Sequence, residues 1–546
     1  MSEPALGSTE SFSRYHGDVA PDWSAVPDGS IIELLHRGCM EDPFRPLIIV
    51  DDGPRLTRHE FLEACEAFAG YLNPRMKAGD HVAVMLDNRV EYMVAFFAIV
   101  ALRGTLVSIA PTAQVFDAGH ILKDSQPTLV ICGTEQRAVV DAALKEQGLS
   151  AEVVVLTDPE PQGLDRFSGD APFDFSQAQC DRSEIVAVYY TSGSTGAPKG
   201  CMLHHGWWLR VIDIDLRLFR RGWQDRQLCC LPFYYADPTI QLLTSLASRG
   251  TLVAMRRFSV SRFWDVVTRY DATEILSIAS IPALLMTGKP SDAEKDHRIR
   301  LAIHAGLPPA IHAELIERFG FHWHNQYGAT EGGVMSRVPN QLANSTVGTG
   351  TMGVEPPGVE VRLVDDDDNE VPVGTAGEAT IRGADLFVGY LGRPDETEKS
   401  MRGGYYHTGD LVRRDENGLL YFVGRKKEII RRSGENISAS EVESVLIAHD
   451  LIVDAAVIPV PHDIRGEEVM AFILPKDGAG PETLPVEQVI DWCRERLAGF
   501  KIPRFIAYRT EDFERLPSMK IDKKVLRDAH ARSEVDAFDR EEIEKS

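Results

Sequence analysis

Tyr190-Thr191-Ser192-Gly193-Ser194-Thr195-Gly196-Ala197-Pro198-Lys199-Gly200 is the stretch from which the rest of the chain is read. An apolar run of strand character, Ile185 to Tyr190, precedes it, and a helical pattern containing Trp207, Trp208 and Val211 follows. Glycines let backbone amides approach an anion, hydroxyls add donors, and Lys199 adds a point charge. These are the requirements of a triphosphate cradle. A flexible Ser/Gly linker has a similar composition, but the preceding strand and the single lysine weigh against it. The GxxxxGK[ST] spacing of a Walker loop is absent, because Lys199 follows Pro198 and precedes Gly200.

Upstream of the loop, strand and helix signals alternate. Thr57-Arg58-His59-Glu60 reads as a capping box, and Phe61, Leu62, Cys65, Phe68, Ala69 and Leu72 then recur at helical spacing. Strand-like runs lie at His81 to Leu86, Leu129 to Cys132 and Val153 to Leu156, with helical patterns over Glu91 to Leu102 and Ala138 to Gln147. The alternation implies an α/β fold of parallel layers. From Val347 to Val423 Gly and Pro become frequent and strands shorten, which predicts a small antiparallel sheet or barrel. After Gly424-Arg425-Lys426-Lys427 a compact α+β module begins and runs to about Arg527, with a charged, frayed tail from Asp528. The acidic run Asp365 to Asp368 reads as a solvated turn.

A chain of 546 residues requires more than one domain. The net charge of -24 argues against nucleic acid or an anionic membrane as the main partner. The longest apolar stretch, Val94 to Leu102, is too short for a membrane span, and the first residues show no secretory pattern. Eight scattered cysteines without a CxxC pair suit reduced thiols in a cytoplasmic protein and argue against structural zinc.

Further motifs follow the loop: Ala305-Gly306-Leu307-Pro308, Asn325-Gln326-Tyr327-Gly328-Ala329-Thr330-Glu331, Gly377-Glu378 through Gly389-Tyr390, Tyr406-His407-Thr408-Gly409-Asp410, Gly424-Arg425-Lys426-Lys427-Glu428, and Leu516-Pro517-Ser518-Met519-Lys520. Alone, most would be turns. Together, in this order, they resemble the ANL superfamily of adenylate-forming enzymes, which includes acyl-CoA synthetases, adenylation domains and luciferases. The resemblance spans nearly the whole chain.

What the resemblance implies is an N-terminal domain over 1–424, a hinge at 425–427 and a mobile C-terminal lid over 428–546. Residues Thr191, Ser192, Gly193, Ser194, Thr195, Gly196 and Lys199 would hold the ATP phosphates. Tyr327 would stack on adenine beside Gly306 and Gly328, and Asp410 would bond the ribose hydroxyls with Arg425 nearby. Thr330 would reach the α-phosphate and Glu331 would hold Mg²⁺. Lys520 would be the catalytic lysine, Lys427 the hinge, and Gly434 would border a thiol tunnel. The Gly377 to Tyr390 motif would be more architectural than chemical. His407, Lys426, Lys523 and Lys524 read as bystanders, the last two as solvated charges.

Two departures stand out. Met519 replaces the family's usual Gly before the lysine, and Tyr235 stands where many relatives carry His, beside Asp237. The acyl pocket would be lined from Trp207 to Ile240, Ser277 to Pro282, and His304 to Leu307, mostly by apolar and aromatic side chains. The implied activity is a carboxylic acid:CoA ligase. Alternatives are an adenylating enzyme that loads a carrier protein in trans, one that activates nitrite for attack by an amine, or a regulatory nucleotide-binding protein. Arg431, Arg432, Lys501 and Arg504 suit either CoA phosphates or plain surface charge.

Overall fold

The computed structural model describes residues 26–157, 171–191, 198–278, 281–426, 428–433, 435–476, 480–515 and 521–543. The alternating segments form the expected parallel layer. Glu152–Leu156, Leu129–Gly133, His81–Met85, Thr105–Ser108 and Ile185–Thr191 lie side by side in parallel, and Lys199–His204 and Gly389–Tyr390 add an antiparallel edge. Most residues of these strands are buried, as in a parallel sheet covered on both faces. The capping box at Thr57 and Glu60 is formed, and it starts the helix Arg58–Leu72. Helix Val90–Ala101 is apolar all round and every residue of it is buried.

A second large sheet runs in the order Gly333–Arg337, Trp323–Ala329, Leu301–Ala305, Glu274–Ile278, Arg226–Cys229, Thr251–Ala254, Pro46–Val50, Arg55–Thr57. It is parallel except at its two edges. Its strand Pro46–Val50 joins a core shared with the first sheet, so the two layers fold as one body.

The Gly/Pro-rich region is a five-stranded antiparallel sheet from Thr351 to Arg425, as its composition predicted. The acidic run turns back there on Asp365, whose carboxylate accepts the N–H of Asp367 and of Asn369. The C-terminal module has its own sheet and cores, distinct from the large one.

One expectation is corrected here. The tail is not frayed from Asp528: helix Lys523–Ala531 buries Leu526 in a small core against which Val535 and Ala537 also pack, and strand Phe538–Asp539 pairs with Phe505–Tyr508. Asp539 there is held by Arg504 at 2.9 Å, so an ion pair and apolar contacts anchor the polar tail together. The helical pattern at Trp207, Trp208 and Val211 is the helix His205–Leu218, and the strand Lys199–His204 directly precedes it. Among the described residues no helix is long and apolar enough to cross a membrane.

Candidate active site

Strands Ile185–Thr191 and Lys199–His204 pair antiparallel, with Thr191 facing Lys199. Ser192, Gly193, Ser194, Thr195 and Gly196 lie outside the described residues. Lys199 is ion-paired with Glu396, and its ammonium lies 5.1 Å from the centre of the Tyr390 ring. Tyr390 is fixed beside it because strand Gly389–Tyr390 pairs with Cys201 and Met202 of the same hairpin.

Thr330 and Glu331 occupy the turn between strands Trp323–Ala329 and Gly333–Arg337, where Gly333 takes a positive φ of 63°. Thr330 is half-buried and Glu331 buried. The Tyr390 hydroxyl donates to Glu331 Oε1 at 2.9 Å, which links this turn to the hairpin that carries Lys199. Glu331 suits Mg²⁺: it offers a hard carboxylate oxygen, one oxygen already oriented by Tyr390. That ion commonly needs only one or two protein carboxylates beside phosphates and water.

On the other side of the same strand end, Tyr327 donates its phenol hydrogen to Asp410 Oδ2 at 2.6 Å. Burial and the neighbouring Asp410 hold that phenol well above its ordinary pKa, so it stays a donor. Asp410 and Arg425 are partners across the small sheet, 3.2 Å apart. Gly306, at φ 83°, begins a turn whose two amides, Gly306 and Leu307, both donate to Asn325 Oδ1. Gly328 is exposed between these features. Tyr327, Gly328, Thr330, Glu331, Asp410, Arg425 and Lys199 are thus brought together in two linked clusters: the Tyr327–Asp410–Arg425 group, and Glu331 joined through Tyr390 to Lys199.

The pocket residues divide. Asp237, in the first turn of helix Ala236–Ala247, lines a cavity with Val211, Ile240, Ile303, Gln326 and Val334. Tyr235 precedes that helix and packs its ring on Tyr234 at 4.7 Å. His304 lies on the strand face opposite Ile303, fully buried, with Nδ1 2.9 Å from the Ser277 hydroxyl. Apolar surface is the larger part of this cavity, and polar side chains share it. Asp215, Arg221, Gln227, Gln241, Glu274 and Arg337 also line it, because ion pairs inside the fold carry these charges inward.

The profile of the AMP-binding enzyme family matches residues 35–391, and that of the AMP-binding enzyme C-terminal domain matches residues 441–520. The chain belongs to the AMP-binding enzyme family. Its adenylate-forming relatives include a long-chain-fatty-acid–CoA ligase of Yersinia pestis, 26% identical, aligned over 94% of this chain and 96% of the relative. A crotonobetaine/carnitine–CoA ligase of Proteus mirabilis is 28% identical over 83% and 89%. ATP-bound MatB from Rhodopseudomonas palustris superposes with a TM-score of 0.82 at 26% identity, covering 92% and 98%. The anthranilate CoA ligase AuaEII shares the fold, with a TM-score of 0.85 at 22% identity over 93% and 99%.

In this AMP-binding enzyme the C-terminal assignments Lys427, Gly434 and Lys520 lie outside the described residues. Lys523 is not a solvated charge: its ammonium is inserted between Glu443 at 2.8 Å and Glu428 at 3.1 Å. Lys524 is exposed and pairs with Asp528. Arg432, Lys501 and Arg504 are each engaged by a carboxylate, of Glu468, Glu441 and Asp539 respectively. Lys426 is half-buried and bonds Glu378 at 2.9 Å, so it braces the small sheet rather than standing free in solvent. Tyr390 and Asn325 were quoted within motifs without a chemical role. Only their hydrogen bonds, to groups far along the chain, reveal one. One other group of ligating atoms, on Cys180, Glu184 and His205, is already used internally by the Val100 carbonyl, Arg103 and the Ile31 amide.

Proposed function

We propose that this AMP-binding enzyme is an ATP-dependent carboxylic acid:CoA ligase that works through an acyl-adenylate and releases AMP and pyrophosphate. The observation that carries the reading is the Glu331–Tyr390–Lys199 connection beside the Tyr327–Asp410–Arg425 cluster. It sets phosphate-directed groups next to ribose-directed ones, which is what a nucleotide bound across both requires. The CoA-ligase activities named for its relatives support CoA as the acceptor.

In the first half-reaction a substrate carboxylate attacks the α-phosphorus of ATP in line, and pyrophosphate leaves. Two anions must meet, so positioning and charge neutralisation carry the catalysis. Thr330 and Lys520 steady the α-phosphate. The hairpin from Thr191 to Lys199 holds the departing pyrophosphate, for which Lys199 must exchange Glu396 for phosphate oxygens. Tyr327 and Gly306 flank the adenine, while Asp410 and Arg425 hold the ribose. Glu331 would hold Mg²⁺, which when bound neutralises phosphate charge. For the second half-reaction the C-terminal domain rotates about Lys427, withdraws Lys520 and opens a thiol path near Gly434.

A second reading keeps adenylation and changes the acceptor to a carrier-protein thiol or another nucleophile. The pairing of Arg432, Lys501 and Arg504 within the chain favours it, since these cations are not spare for CoA phosphates.

The deciding experiment measures AMP and pyrophosphate across a panel of organic acids with and without CoA. A thioester formed with AMP supports the ligase. AMP formation indifferent to CoA supports the second reading. No AMP with any acid, despite ATP binding, overturns both. Lys520→Ala is expected to abolish adenylation and spare thioester formation from supplied acyl-AMP.

A further inference from the structure

Helices His205–Leu218 and Ala236–Ala247 and strands Glu274–Ile278, Leu301–Ala305 and Trp323–Ala329 enclose the cavity lined by Asp237. Its charges are paired except at Asp237. Three carboxylates line it, of Asp215, Asp237 and Glu274, with two guanidiniums, of Arg221 and Arg337, and Glu274 is also bonded at 2.6 Å by Arg300 from outside the lining. Both guanidiniums are spent. Arg221 donates to Glu274 at 2.7 Å and stands 3.4 Å from Asp215. Arg337 bonds Asp215 and donates to Gln326 Oε1 at 2.9 Å. Asp237 makes no ion pair with any described residue.

A second acceptor stands one helical turn away. Gln241 is 2% exposed and lines the same cavity. Its amide nitrogen donates to the Leu228 carbonyl at 3.2 Å, which sets the orientation of the amide. Its Oε1 is then buried without a hydrogen-bond donor among the described residues. Positions 237 and 241 are i, i+4 neighbours and share a helix face. The N-terminal end of the helix dipole eases the charge on Asp237 but does nothing for Gln241, four residues further in. Burial raises the Asp237 carboxyl above its ordinary pKa and Asp215 adds to the rise, with a hydrogen bond from its own backbone N–H and Arg337 only partial offsets. The half-buried Asp237 therefore lacks a countercharge and the buried Gln241 Oε1 lacks a donor, and such groups are rarely left so.

We propose that Asp237 and Gln241 form a subsite for a basic nitrogen, an amine or guanidine, carried on the tail of the acid that is activated. The proposal rests on the ligase reading and names the substrate class of the same site. Gln326, in the cavity, and Thr330, proposed to reach the α-phosphate, lie on one strand and its turn, and their backbone span of roughly 13 Å sets the scale of the separation between the nitrogen and the reacting carboxylate. A hydrocarbon tail leaves Gln241 Oε1 without a donor and Asp237 without a countercharge. A second carboxylate finds the guanidiniums already taken and meets Asp237.

The test compares matched acids of graded length whose far end is a methyl, an amine or a carboxyl. Adenylation is followed by AMP release, and binding without ATP by calorimetry. The amine acids are expected to exceed their methyl counterparts by roughly tenfold or more in kcat/KM. Asp237→Asn, isosteric but uncharged, is expected to collapse that ratio, with the ratio rather than the absolute rate as the readout. Gln241→Met is expected to reduce it less. Preference for the methyl or dicarboxylic acids, or an amine preference that survives Asp237→Asn, overturns the subsite. Calorimetry separates the two levels of the argument. Amine-selective binding that depends on Asp237, without AMP formation, sinks the ligase reading and keeps the subsite. AMP formation without amine selectivity does the reverse.

Discussion

The hydroxyl of Tyr327 donates to Asp410 Oδ2 at 2.6 Å, across 83 residues of sequence and from one sheet to another. The bond orients the carboxylate that is proposed to hold ribose, and the ring is the face proposed to stack on adenine. Tyr327→Phe keeps the ring and removes the donor. A hydrogen bond to a charged group contributes about 1.5–3 kcal/mol. The KM for ATP should therefore rise by roughly tenfold or more with kcat less affected, as measured by pyrophosphate release against ATP concentration. An unchanged KM would mean that Asp410 is positioned by Arg425 alone.

Glu331 is the carboxylate proposed for Mg²⁺, and Tyr390 orients it. Glu331→Gln keeps the shape and loses the charge. Adenylation is expected to fall by about 10²-fold or more, on the scale of removing one preorganised electrostatic group. The Mg²⁺ concentration for half-maximal rate should rise. Tyr390→Phe should move both in the same direction by less. A Mg²⁺ dependence untouched by Glu331→Gln would place the metal on other groups.

Lys523 joins Glu428, just past the hinge, to Glu443 in the C-terminal module. Burial lowers its ammonium pKa, but Glu443 and Glu428 outweigh burial and hold it above the usual lysine value. Lys523→Met strands two half-buried acids and should destabilise that module by about 1–3 kcal/mol in urea unfolding. Adding Glu443→Gln should recover part of the loss. Equal stability of wild type and the single variant would show the ion cluster to be energetically idle.

Two buried histidines make stability depend on pH. Burial pushes His205 down to about 3 and His324 down to about 4 from 6.5. His205 Nδ1 accepts the Ile31 amide at 3.2 Å, a contact that only an unprotonated nitrogen makes. Their folded pKa values lie below the unfolded one, so the unfolded chain binds more protons between them. Stability is thus full above about pH 6.5 and falls as pH drops toward 4, by up to about 1.4 kcal/mol per pH unit for each histidine. Thermal unfolding across that window should show the slope, and His205→Gln should flatten it. A slope unchanged in that variant would assign the effect to other groups.

The helices and strands before Leu156 were legible because their signals are local: a capping box at Thr57, and apolar runs too short for anything but strands between helical repeats. The order of the motifs likewise identified the family. The tail after Asp528 was misread because its composition is polar, and its anchors are a few long-range contacts, the ion pair with Arg504 and the packing of Val535 and Ala537. Lys523 was misread for the same reason: a lysine looks solvated until the fold encloses it with Glu443 and Glu428.

By itself the sequence determined the parallel layers, the antiparallel region between Val347 and Val423 and the family to which the ordered motifs belong, because periodicity, capping and motif spacing act within a few residues. Only the tertiary structure decided that Tyr390 reaches Glu331, that Asn325 pins the Gly306 turn, that His304 and Ile303 point to opposite faces of one strand, and that charged side chains join the apolar ones around the cavity beside Asp237. Each of these depends on which distant residue arrives opposite a given side chain, and on the register of strands that set neighbours on alternate faces.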